Sequence, residues 1–118
     1  LAEILRSKGA EKVVVSDLAR EDMAEVIEDA FRYDRMIVAA ASYDGGVFPC
    51  MQDFLHHLQS KAYQNRKVGI VENGAARTMK AILEPMKNIT IVDPVVTIKS
   101  TLKESDIPNL EALADAML

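Results

Sequence analysis

The chain has 118 residues, with 14 Lys and Arg against 18 Asp and Glu, for a formal net charge of −4. That length makes one domain, and 49% hydrophobic with 27% charged residues supplies a packed interior rather than a disordered chain. The acidic balance offers no basic face for nucleic acid. No run approaches the roughly 18 to 20 apolar residues that cross a bilayer, and the opening LAEILRSKG lacks the features of a signal peptide, so the expectation is a soluble, cytoplasmic protein with neither a nucleic-acid nor a membrane partner.

Apolar spacing divides the chain into alternating helical and strand segments with no repeat or low-complexity tract. Leu1, Ile4 and Leu5 share a helical face, and Gly9 stands where a left-handed C-terminal cap would end that helix. The β-branched run Lys12 to Val15 predicts a parallel strand covered on both sides. Met23, Val26, Ile27, Ala30 and Phe31 recur at helical spacing, with Glu21 and Asp22 placed to suit the helix dipole. Met36 to Ala41 predicts a second buried strand, running into the turn-forming loop Ser42-Tyr43-Asp44-Gly45-Gly46.

Pro49 then opens a helix, where its missing N–H costs nothing, and Met51, Phe54, Leu55 and Leu58 form its buried stripe. Lys67 to Val71 predicts a third strand, ending in the turn Glu72-Asn73-Gly74, before a helix with Met79, Ile82, Leu83 and Met86 on one face. Ile89, Ile91 and Val92 make a fourth strand. Pro94 separates it from Val95, Val96 and Ile98, where the extended chain is expected to bend or change neighbours. Pro108 begins a last helix with Leu110, Leu113, Ala114 and Met117 inside. Strict alternation argues an α/β fold, a doubly wound parallel sheet in three layers, α/β/α. Ligands in such sheets sit beyond the carboxyl ends of the strands, which directs attention to the loops Ser42 to Val47 and Glu72 to Gly74.

The first loop joins a hydroxyl, an aromatic ring, a carboxylate and two glycines to a helix start. Turn chemistry alone favours Ser, Asp and Gly there. A flavin, however, would use all of them: Tyr43 as a neighbour for a planar ring, and Gly45 and Gly46 to let a peptide carbonyl approach the ring edge. Asp44 and Glu72 are carboxylates that would oppose the charge gained on reduction.

The run AAASYDGGVFPCMQDFLHHLQSK resembles the flavodoxin-like domain of the A-type flavoproteins, or flavodiiron proteins. In that family a segment of this form contacts flavin mononucleotide (FMN) and a second loop closes over the ring. The resemblance implies cofactor contacts at Ser42, Tyr43, Asp44, Gly45, Gly46 and Val47, with Glu72, Asn73 and Gly74 in the second loop. It implies a flavodoxin-like sheet of strand order 2-1-3-4-5 across residues 1–118, FMN as cofactor, and electron transport to a redox protein partner or a diiron domain. Oxidoreductase activity would need that partner. It also implies one more β-strand and a phosphate-binding loop before Leu1, because this chain starts within what would be the first helix, and further residues after Gly74, where the turn is short.

Other candidates are weaker. His56 and His57 lie about 100° apart on a helix and cannot share a metal as an i, i+4 pair would; one is expected exposed and one at the edge of the apolar stripe. Cys50 cannot form an internal disulfide, and in the first turn of its helix it reads as a small packing residue. The run Lys103 to Asp106 reads as a solvated approach to the last helix. An alternative class is a cofactor-free regulatory or protein-interaction module on the same fold, such as a phosphoacceptor receiver. Asp44 and Lys99 would suit a receiver, but Val71-Glu72-Asn73-Gly74 lacks the Ser or Thr it requires. No Gly-x-Ser-x-Gly elbow supports a hydrolase.

Overall fold

The computed structural model describes residues 1–10, 12–43, 46–99 and 101–118. Helix α1 (Ala2–Ser7) ends as its sequence predicts: Gly9, at φ +106°, reverses the chain, and the amides of Gly9 and Ala10 donate to the carbonyls of Arg6 and Leu5 at 3.2 and 3.1 Å. Helix α2 (Met23–Arg32) starts on Asp22, whose carboxylate accepts from the Ala24 amide at 3.3 Å. Strand β1 (Arg35–Tyr43) is followed by the short β2 (Gly46–Val47), and then by α3 (Pro49–Ser60) with Pro49 in its first turn. Next come β3 (Arg66–Asn73), α4 (Ala76–Leu83), β4 (Ile89–Ile91) and β5 (Val96–Thr97), and a 3-10 turn at Glu104–Asp106 leads into α5 (Ile107–Met117).

The sheet is mixed and mostly parallel, in the order β2-β1-β3-β4 with β5 also on β3. β1 and β3 run parallel from Arg35 opposite Lys67 to Ala41 opposite Asn73. β4 lies beside Arg66–Val68, and β5 lies beside Val71–Glu72. The chain around Pro94 therefore bends but keeps the same neighbour.

Two expectations need correction. The sheet is not wholly parallel, because β2 returns antiparallel against the end of β1, pairing Ser42 with Val47 and Tyr43 with Gly46. Only residues 44 and 45 separate that last pair, and a connection of this length permits an antiparallel return, whereas a parallel one needs a long crossover. Lys12 to Val15 is also not a strand. Strand backbone needs a hydrogen-bonded neighbour, and among the described residues this segment pairs with none. A cavity of about 1270 Å³ has both Lys12–Ser16 and Met36–Ala41 of β1 in its lining. Val14 and Val15 are left 46% and 71% exposed, against the expectation of burial on both sides.

Helices cover both faces of the sheet. α2, α3 and α4 bring Val26, Ile27, Met51, Phe54, Leu55, Leu58, Met79, Ile82 and Leu83 against Val38, Val68 and Ile70. On the other face Leu110, Leu113 and Met117 of α5 join Leu1, Ile4 and Leu5 around α1, with Ile37, Val71, Val92 and Val96. Neighbouring residues Ile37 and Val38 thus feed opposite layers, as the pleat requires. Gly69 lets α5 approach closely, since a Cβ there would stand 3.0 Å from Leu113 Cδ1 and 3.1 Å from Met117 Sδ. The end of α5 is fixed by Lys67 Nζ, donating to the Ala116 carbonyl at 3.0 Å, and by Arg35 Nη1, donating to the Leu118 carbonyl at 2.8 Å; cations suit this negative end of the helix.

At the opposite end of α2, the Arg66 guanidinium donates to the carbonyls of Tyr33 at 2.9 Å and Phe31 at 3.0 Å, and lies 5.1 Å from the ring centre of the buried Tyr63. His56 and His57 are both exposed on α3, so neither borders the apolar stripe as expected. Met51, Met79, Met86 and Met117 are buried, in keeping with core filling. No helix among the described residues is long and apolar enough to cross a membrane.

Candidate ligand-binding site

The parallel register sets where the two singled-out loops meet. Ala41 stands opposite Asn73, the last residue of β3, so the turn after β3 leaves the sheet beside Ser42, while β1 continues to Tyr43 in its pairing with β2. Gly74 has φ +76°, a conformation that favours glycine. A Cβ on it would lie 3.0 Å from Ser42 Oγ and 3.2 Å from Ser42 Cβ. The structure therefore joins the two loops at this contact, at the carboxyl edge of the sheet, which in α/β proteins is the ligand edge.

The remaining site residues divide by position. Ser42, Asn73 and Gly74 are exposed and Gly46 is half-buried. Val47 is 1% exposed and packs in the main core, so its side chain supports the loop from below rather than lining its surface. Tyr43 is described by its backbone, paired with Gly46. Asp44 and Gly45 lie outside the described residues. The hairpin is closed by the Phe48 amide, which donates to the Ala41 carbonyl at 3.0 Å, and α3 starts immediately afterwards with half-buried Cys50 in its first turn.

Glu72, the carboxylate singled out in the second loop, is hydrogen-bonded within the protein. Its Oε2 accepts from the Gly74 amide at 2.5 Å and its Oε1 accepts from the Thr97 hydroxyl at 3.1 Å, so both oxygens are engaged within the protein. Thr97 was not among the residues singled out from sequence. The available signal was alternation: between inward Val96 and half-buried Ile98 it points outward beside Glu72, its register partner.

The cavity beside β1 reaches this edge, with Ala41, Phe48 and Cys50 in its lining, and extends down to Tyr33 at the other end of the strand. The Tyr33 hydroxyl is shielded from solvent and has no hydrogen-bond partner among the described residues. No group of three or more His, Cys, Asp and Glu suited to a metal ion occurs among the described residues.

An α/β sheet covered by helices on both faces, with two turns meeting at its carboxyl edge, defines the architectural class, and the fold is flavodoxin-like by comparison with solved structures. The chain is similar, at a TM-score of 0.84 and 17% sequence identity, to rubredoxin oxygen:oxidoreductase from the anaerobe Desulfovibrio gigas. The match covers 98% of this chain and 30% of that one, so this chain spans about a third of its structural relative. At this identity the likeness shows the fold. No family model matches the sequence, and comparison with curated proteins finds no match.

Proposed function

We propose that this domain binds FMN at the edge formed by Ser42 to Val47 and Glu72 to Gly74, and acts as an electron-transfer module. The observation that carries the reading is the contact of Gly74 with Ser42, which assembles both loops of the resemblance at the ligand edge of a flavodoxin-like sheet. Bound FMN would supply one- and two-electron chemistry. The residues present fit the ring side of that cofactor in kind: small or polar Ser42, Asn73 and Gly74 are exposed at this edge, and Gly46 is half-buried in β2. In this reading Tyr43 stacks on or beside the ring, and Asp44 opposes the charge of the reduced form. Electrons would pass to a redox protein or to a diiron domain in a longer protein.

Binding of the FMN phosphate needs a group outside these loops. We propose that a further apolar strand, ending in a phosphate-binding loop, fills the cavity lined by Lys12–Ser16 and β1 in the natural protein. Among the described residues Arg35 to Ala41 of β1 pair with a strand only on the β3 side, and this edge, the exposed Val14 and Val15 and the Tyr33 hydroxyl support it. An intact mass above 13.0 kDa for the natural protein is expected, and a cooperatively folded natural protein of 13.0 kDa would refute the added strand.

The test of the flavin reading is thermal unfolding of the natural protein with and without FMN, since a ligand that binds only the folded state raises the melting temperature. The expected result is a rise that grows with the logarithm of FMN concentration and shrinks in Tyr43→Ala. An unchanged melting temperature at high FMN would refute the reading.

A further inference from the structure

The Glu72 side chain holds the amide of Gly74, and it does so while tied to β5. Its register partner across the parallel ladder is Thr97, which places the two side chains next to each other at the end of β3. The Thr97 hydroxyl donates to Oε1 at 3.1 Å, and the Gly74 amide donates to Oε2 at 2.5 Å. The Glu72 carbonyl also accepts from the Ile98 amide at 2.9 Å, so both main chain and side chain fasten Glu72 to the β5 segment. From Gly74 the connection continues by contact to Ser42 at the end of β1.

We infer that the Thr97–Glu72 pair is a positioning latch for the candidate site: it fixes the turn after β3 against Ser42, so that both loops present one surface. This rests on the flavin reading and changes the part played by Glu72 in it. A carboxylate whose two oxygens accept hydrogen bonds from the protein acts through the turn it holds. Without the Thr97 hydroxyl, the carboxylate is free to turn to water and releases Gly74, and the two loops lose their common register.

The test compares Thr97→Val, which keeps the shape and removes the donor, with Thr97→Ser, which keeps the donor. The first readout needs no flavin: exchange of the Gly74 amide with deuterated water, followed by NMR, speeds up in Thr97→Val and returns to the parent rate in Thr97→Ser. The second is the FMN dissociation constant, which weakens about fivefold in Thr97→Val, as loss of one net hydrogen bond implies, and recovers in Thr97→Ser. An unchanged Gly74 exchange rate in Thr97→Val overturns the latch whatever flavin does. Faster exchange with unaltered FMN affinity overturns its positioning role. If the parent protein itself binds no FMN, the flavin reading fails, and the latch is then judged on amide exchange and its rescue by serine.

Discussion

Gly74 and Ser42 are packed so closely that a single added methyl group would reach 3.0 Å from the serine hydroxyl. Two separate penalties follow for Gly74→Ala: the contact with Ser42, and the left-handed backbone at φ +76°. We expect this substitution to lower stability by about 1 to 2 kcal/mol, measured by urea unfolding. Adding Ser42→Gly relieves the contact but not the backbone strain, so the double variant should recover part of the loss. Full recovery would mean that the backbone conformation costs nothing.

Gly69 makes a similar argument away from the site. A Cβ there meets Leu113 and Met117 of α5 on one side and Ile37, at 3.3 Å, on the other. Because these side chains belong to a packed layer, Gly69→Ala should destabilise the fold by about 1 to 3 kcal/mol through overpacking. A second replacement, Leu113→Ala, opens room, so the two losses should sum to more than the measured loss of the double variant.

Tyr63 gives a pH dependence with a definite sign. Burial, the largest cause, pushes its phenol up to about 12 from the ordinary 10.0, with the Arg66 cation opposing the rise and Asp34 adding to it. The folded state therefore holds the phenolic proton more tightly than the unfolded state. The resulting stability is fully present below pH 10 and is lost as pH rises from about 10 to about 12. Urea unfolding across that range should show a decline attributable to this residue on the order of 2 kcal/mol, and Tyr63→Phe should flatten the decline. An equally steep decline in Tyr63→Phe would assign it to other groups.

Much of the architecture was legible in the sequence because it rests on local signals. The Gly9 cap, Pro49 at the start of α3 and the inward faces of α2 to α5 follow from periodicity and backbone chemistry. Lys12 to Val15 failed because its composition reports β preference, while a strand also needs a partner, and none is described beside it. β2 escaped notice because two residues carry no periodicity. In the site, the loop positions were legible from turn residues at strand ends, but their mutual contact depends on the register of β1 with β3, and the engagement of Glu72 depends on the register of β3 with β5. Registers between distant segments are tertiary facts that no single stretch of sequence carries.

The central claim, that the joined loops at the end of β1 and β3 hold FMN, is tested most directly by titrating the natural protein into FMN and following flavin fluorescence. The account predicts saturable quenching with one FMN per chain, weakened in Tyr43→Ala. Fluorescence that stays at the value of free FMN throughout the titration would contradict it.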